Sequence, residues 1–390
     1  MRRRGSSLST CLLFTCGVFS CLPALKRADE QEAAAPDAGV CEVLPAPERA
    51  APLVGASSVQ LDSLSRALPN WSEECSACVR SACVDSLARC AADRRCSDFV
   101  SCRWGRSGDV SPGGEQRCGA RLGESPEVDG SATRELSNCW SFSCTEECQL
   151  GREWSCLDGY ELPTPDARGA VRIEQTLQTG FSNGIIPGVL VRYCPPLVDV
   201  STCERQFDAL GCTDTLGVSR TTVPISTDDR PGWRGYRHAF QPGNIDALLQ
   251  SNLPVLLDRF MLQHVPSLAE FDVLAAVFGS DPSLGGVVFQ VFDCAHTGAD
   301  GVDIEIVPEA GQPALLGRVG YLAQADATEL VSGPTRAAGN GGGAIADVPV
   351  DGLVTIRATL RETGRVIAEP RVWVTPGRGT LLEIHPEPGP

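Results

Sequence analysis

Lysine is almost missing from this chain. Of its 33 basic residues only Lys26 is a lysine, and with 40 glycines and 28 prolines this reflects GC-rich coding rather than an activity. Aromatic residues make up only 6% of the 390 residues. The four histidines, His238, His264, His296 and His385, show no metal-type spacing and no H-E-x-x-H pattern, which excludes the common zinc-hydrolase signature. They read as surface or edge-strand residues. The one G-x-S-x-G match, "GFSNG" (180–184), is followed by "IIPGVL" rather than by the helical run that a nucleophile elbow needs, so no serine nucleophile is expected. "GNGGG" (339–343) lacks the G-K-[ST] of a phosphate loop and reads as a flexible turn. Positive charge is also short: the net charge is −16. Such a surface repels nucleic acid phosphates and anionic lipid, so no nucleic acid partner is expected.

What is present begins with "MRRRGSSLSTCLLFTCGVFSCLPAL", a basic start followed by an apolar run to about Leu25. This has the form of a secretory signal and is short for a membrane span of ~20 residues. No second long apolar run follows. Val18-Phe19-Ser20-Cys21 resembles a bacterial lipobox, with Phe19 where a small or aliphatic residue is usual, so Cys21 is the expected lipidation site. The alternative is cleavage after Ala24 and free secretion. Residues 1–21 are thus the signal, and residues 22–70, rich in Ala, Pro and acids, an extended or disordered tether.

Nineteen cysteines are the strongest feature, and six of them fall between Cys75 and Cys102. In an exported chain dense cysteines are staples, whereas in the cytosol they suggest zinc. A zinc site would have "CSAC" in its favour. It lacks a second CxxC, and residues 75–156 contain no histidine. A redox role would need a CxxC after a strand in an α/β unit. With Cys11, Cys16 and Cys21 set aside, an even sixteen remain. A helix is predicted from Ser72 to about Ala92, with Cys75, Cys78, Val79, Cys83, Leu87 and Cys90 on one stripe. A second is predicted from about Ala132 to Gln149, carrying Leu136, Cys139, Trp140, Cys144 and Cys148, with Gly151 as its stop. Run antiparallel, the stripes place Cys75 by Cys148, Cys78 by Cys144 and Cys83 by Cys139. Cys90 with Cys96 and Cys102 with Cys118 would close the connections. Cys41, Cys156, Cys194, Cys203, Cys212 and Cys294 remain unassigned. A disulfide-rich helical domain is expected over 71–156.

After Cys156 the pattern changes to period two. Val302, Ile304 and Ile306 alternate with Asp303 and Glu305, and "VVFQVFDC", "RVGYLA", "LVTIRATL", "RVWV" and "TLLEIH" read as further strands of an antiparallel sandwich. Upstream, "AVRIEQTLQ", "GVLVRYC" and "WRGYRHAF" read as strands. Between the groups, residues 246–280 read as a helical connector: "IDALLQSNLPVLLDRFML", interrupted by Pro254, then "PSLAEFDVLAAVFG" with Ser267 and Glu270 as a capping box.

Residues 287–311 and 335–360, with a glycine turn at Thr335–Gly343 and a proline turn at Val348–Gly352, resemble the transthyretin-like (prealbumin-like, carboxypeptidase regulatory-like) β-sandwich, although Arg336 stands where Asp is usual. A weaker copy with Thr213, Asp214 and Gly217 lies upstream, so the resemblance implies modules over 165–245 and 285–388. The helical region resembles cysteine-rich segments of lipoproteins from GC-rich Gram-negative bacteria. Neither resemblance implies an activity. Intradiol dioxygenases share the transthyretin-like fold and hold iron with two Tyr and two His; here Tyr236 and His238 share a strand face without a second pair. Asp293, Asp300 and Asp303 lack calcium-loop spacing and read as a solvated turn.

The chain is therefore expected to be a multidomain α+β protein, a disulfide-rich helical domain followed by antiparallel β-sandwich domains. Its expected role is a non-catalytic extracytoplasmic binding or structural protein of the bacterial cell surface, with no cofactor and no catalytic or metal-binding residues. Its partner would be an extracellular protein or glycan, and it would meet the membrane only through the lipid on Cys21. The alternative is a carbohydrate-binding or accessory protein of a secreted enzyme system, which a row of exposed aromatics would favour. A divergent iron or zinc enzyme would instead need a convergent His/Asp/Glu cluster.

Overall fold

Ser72 caps the first helix of the described residues: its hydroxyl accepts the Cys75 amide hydrogen at 3.1 Å, and Glu73 and Glu74 occupy the first turn, where carboxylates offset the helix dipole. The structure is a computed structural model describing residues 41, 72–104, 108–109, 111–122, 132–180, 184–206, 210–226, 231–281, 283–308, 317–323, 330–337 and 340–387. The signal, Cys21 and most of the tether lie outside the described residues.

Five helices follow: α1 (Glu73–Ala82), α2 (Val84–Ala92), α3 (Arg94–Trp104), α4 (Pro112–Leu122) and α5 (Ala132–Ser143). The single helix expected over 72–92 is broken at Cys83, whose φ of −111° leaves the helical range. The bend keeps α1 along α5 while turning α2 toward α3 as well. The helix expected to reach Gln149 ends at Ser143 and continues as turns. Val79, Leu87, Phe99, Val100, Leu136 and Trp140 form the core, with the Trp104 and Trp140 rings edge to face at 4.5 Å. Disulfides join Cys75–Cys148, Cys78–Cys144, Cys83–Cys139, Cys90–Cys96 and Cys102–Cys118. The first three fasten the α1–α2 segment to α5 and the turns after it.

The remainder is β-rich. In chain order it holds β1 (Ala170–Thr179), β2 (Leu190–Cys194), α6 (Val200–Gln206), β3 (Leu210–Cys212), β4 (Val218–Pro224), β5 (Tyr236–Gln241), β6 (Ile245–Ser251), β7 (Arg259–Val265) and α7 (Leu268–Phe278). Then come β8 (Gly285–Val291), β9 (Val302–Val307), β10 (Arg318–Leu322), β11 (Leu330–Val331), β12 (Gly342–Val348), β13 (Gly352–Leu360), β14 (Arg365–Ala368), β15 (Arg371–Val374) and β16 (Gly379–Ile384).

These strands form a nine-stranded sheet, β11-β10-β12-β8-β16-β6-β5-β2-β3, and two smaller sheets. One is β4-β1-β7; in the other, β13 pairs with β9 along one edge and with β14 and β15 along the other. Most pairs are antiparallel, as alternation suggests. Three are parallel: β1 with β7, and β16 with both β8 and β6. The last strand is inserted at the centre of the large sheet, so this sheet crosses the boundary between the two expected modules.

Adjacent residues of a strand point to opposite faces. Leu382 packs with Val287, Phe289 and Ile356, whereas Leu381 packs toward Val191, Leu249 and Met261. The two small sheets therefore lie on opposite faces of the large one, giving two sandwiches that share a sheet.

The helical connector expected over 246–280 is corrected: β6 and β7 occupy its first part, and only α7 is helical. Ala247 and Leu249 face one core and Leu248 the other side, so β6 is buried on both faces. Its continuous apolar run therefore fits a helical period as well as a strand. In α7 the capping box between Ser267 and Glu270 forms, and Gly279 closes the helix at φ 57°. Gly379 and Gly286 stand in register on β16 and β8; a Cβ on Gly379 would lie 3.3 Å from Phe271, so the bare strands leave room for α7.

Three further bridges complete the framework: Cys156–Cys294, Cys194–Cys203 and Cys41–Cys212. Cys294, the sole cysteine of the C-terminal module, is thereby tied to the end of the helical region.

Candidate functional site: a cleft between the sandwiches

His238, His296 and His385 do not lie at the surface, which corrects the expectation for them, whereas His264 is on β7, an edge strand of the three-stranded sheet, as expected. His238 is 1% exposed and His385 fully buried, each with a carboxylate at its ring, Asp246 and Glu204 beside His238 and Glu383 beside His385. His238 Nε2 lies 2.9 Å from Asp246 Oδ1 and Nδ1 3.5 Å from Glu204 Oε1; Arg378 bridges the same two acids at 3.3 and 3.1 Å. His296 Nε2 is 2.8 Å from Glu115 Oε2 of α4. The rings of Phe292, His296 and His385 lie nearly parallel with centroids 4.4–5.1 Å apart. His264, partly buried, sits 3.4 Å from Arg134 of α5.

This cluster seals the helical region to the sheets. Gln116 donates to Pro254 O at 2.9 Å and accepts from Leu256 N at 3.1 Å. Burial alone would raise the Glu115 carboxyl, but His296, Arg259 and Arg103 outweigh it and hold it at about 2. Burial lowers His385 to about 4, against the pull of Glu383. Burial raises Asp293 to about 6, although the Thr297 and Glu153 amides donate to it. The space beside Glu115, Arg259 and His296 measures about 10 Å³, at most one water. Perturbed acids and bases often mark active sites, but these are packed in pairs with no room for a substrate.

Among the described residues no three His, Cys, Asp or Glu side chains converge as metal ligands. The three aspartates considered for calcium have separate tasks: Asp293 accepts backbone amides, Asp300 pairs with Arg152 at 3.0 Å, and Asp303 pairs with Arg361. The Tyr236 hydroxyl donates to Val198 O at 2.9 Å.

A large opening lies elsewhere. A cleft of about 820 Å³, within the range of ligand pockets, lies where the end of β2, the Trp233 segment, the end of β6 and the start of β15 meet. Trp233 is half-buried, its backbone N–H and C=O both bonded to Val255 at 2.9 Å and its ring edge-on to Tyr193 at 5.6 Å. Of the three aromatic residues lining the cleft, Tyr193 and Tyr236 are buried and only Trp233 is open, so no row of exposed aromatics forms there. Pro195, Pro196, Leu197, Pro224 and Pro370 supply most of the remaining apolar wall. The sequence reading did not single out this cleft. "CPPL" and "GWRG" were its signals, but only the pairing of β2 with β5 brings them together.

No protein-family model matches the sequence, and no curated protein matches it. Among solved structures, the Bacillus anthracis TIE protein is 12% identical over 57% of this chain and 34% of its own length, with a TM-score of 0.18. The shaft pilin SpaA from Lactobacillus rhamnosus GG is 11% identical over 56% of this chain and 98% of its own, TM-score 0.18. The Streptococcal ancillary pilin is 12% identical over 57% and 64%, TM-score 0.18. This chain thus spans about a third of the TIE protein. Superposition this slight leaves function to be read from the chain's own residues. Eight disulfides among the described residues are the mark of a chain folded outside the reducing cytoplasm. No described helix is long and apolar enough to cross a membrane.

Proposed function

We propose that this chain is a non-catalytic binding protein of the bacterial cell surface, held by a lipid on Cys21, with its ligand in the cleft around Trp233. The observation that carries the reading is a division of labour. The ionisable clusters are buried and paired between elements, while a separate large opening is lined mainly by apolar groups. The resemblance of residues 287–311 and 335–360 to transthyretin-like sandwiches favours a supporting module rather than a catalytic one. A carbohydrate-binding accessory role is the second reading, and the open Trp233 indole is what favours it.

Two experiments test this. The purified mature chain, applied to protein and glycan arrays, is expected to give a ligand whose binding Trp233→Ala removes; turnover of that ligand would overturn the non-catalytic reading. Cys21→Ala is expected to release the protein from membranes or block its processing, and normal membrane retention would count against the lipid.

A further inference from the structure

We infer that the cleft takes an extended, proline-containing peptide of a second protein, laid across Trp233 as a polyproline II helix. This rests on the cleft being the binding site and names the chemistry of its ligand.

The apolar wall is held rigidly. The Cys194–Cys203 bridge fixes the start of the 195–198 segment. Trp373 Nε1 donates to Pro196 O at 3.1 Å, and the Tyr236 hydroxyl holds Val198 O. On this braced segment Leu197 is 69% exposed, facing the same cleft as Trp233. A large aliphatic side chain, an open indole and adjacent prolines fixed in advance form a surface that loses little entropy on binding.

Polar groups in the lining are already committed. Gln250 donates to Trp373 O at 2.8 Å and accepts from Trp373 N at 2.9 Å. Asn252 accepts from His385 N and donates to His385 O, both at 2.8 Å, and to Glu387 at 3.1 Å. Glu369 pairs with Arg357. A sugar, which needs several groups free to bond its hydroxyls, meets few here. Charge on the rim is balanced, Arg234 and Arg371 against Glu369 and Glu387, although the whole chain carries −16. The matching ligand is neutral.

A polyproline II segment meets these terms. It has no internal hydrogen bonds, presents apolar rings with unbonded carbonyls, and is already extended in solution. Pro-rich segments dock by packing their rings on apolar and aromatic walls; here the Trp233 indole, Leu197, Pro195 and Pro196 would supply that wall.

The test uses the mature full-length chain with its disulfides intact, fluorescein-labelled deca-L-proline as probe, and fluorescence anisotropy as readout. Saturable binding is expected, with none for a Gly-Ser decamer. Leu197→Asp and Trp233→Ala are each expected to weaken it at least tenfold. Leu197 is exposed, so its variant tests the cleft even if Trp233→Ala perturbs folding; melting temperature and disulfide mapping check both. Absence of saturable decaproline binding overturns the peptide assignment, as does equal affinity in Leu197→Asp. A glycan bound by the wild type and lost in both variants keeps the cleft and overturns the peptide. An array ligand indifferent to both variants overturns the cleft itself.

Discussion

The helical region and the sheets solve the same problem by different means. The helices span about 70 described residues and surround a small core, but five bridges cross-link that segment internally. The sheets bury two large apolar layers, and most of their strands carry no cysteine. Small domains that bury little apolar surface need covalent links, because burial alone does not outweigh the entropy of the unfolded chain. Of the sheet region's bridges, Cys194–Cys203 holds a local segment, and the other two tie in residues from outside the sheets.

Reduction should break this comparison open. Each native bridge in such a domain is typically worth about 2–5 kcal/mol. Under reductant, trypsin is expected to cut first after exposed arginines such as Arg94 and Arg95, and mass spectrometry should find the helical region lost before the sheets. Residues 285–388 would survive alone if the C-terminal module were independent, as its sequence pattern suggests. With β16 paired to both β6 and β8, we expect instead a fragment beginning near Ala170. A stable 285–388 fragment would refute that, and simultaneous loss of everything would make the sheets dependent on the helices.

Acid should act on the other partner. His385 directly follows β16, and residues 75–156 contain no histidine. Its folded pKa of about 4 lies below the ordinary 6.5, so the unfolded chain binds a proton that the folded chain refuses. Stability present above pH 6.5 is lost as pH falls toward 4, by about 3 kcal/mol in all. Denaturant melts of wild type and His385→Gln across that window check this: the variant's slope should be flatter. An unchanged slope would remove His385 as the cause.

The smallest effect belongs to the first helix. Ser72→Ala deletes the hydroxyl that caps α1 and is expected to cost about 1 kcal/mol. With Cys75–Cys148 closed just beyond the cap, the loss should show in hydrogen exchange of the first turn and barely in the global melt.

What could be read from the sequence follows from the range of the physics. A helix has a fixed period, so the spacing of Cys75, Cys78 and Cys83 against Cys148, Cys144 and Cys139 encodes an antiparallel seam. β9 and β13 are legible because one face of each is polar: Asp303 and Glu305 pair with Arg361 and Arg357 across it. β6 was not, since both its faces are buried. Nor were the histidines' surroundings, because Glu115 reaches His296 across 181 positions and no local pattern records such a meeting. The bridges Cys156–Cys294 and Cys41–Cys212, with separations of 138 and 171, are hidden for the same reason. The cleft needed the sheet order before its walls could be recognised.

The Cys41–Cys212 bridge also has a mechanical meaning. It joins the chain near its N-terminus to β3, the outermost strand of the nine-stranded sheet. Tension applied upstream of residue 41 enters the fold at Cys212 and passes from β3 into β2, bypassing the covalent loop of separation 171 that contains the whole cross-linked helical region, α1 to α5. A molecule held from its N-terminal end in flowing liquid would carry that load on a sheet edge, leaving the cross-linked helices slack.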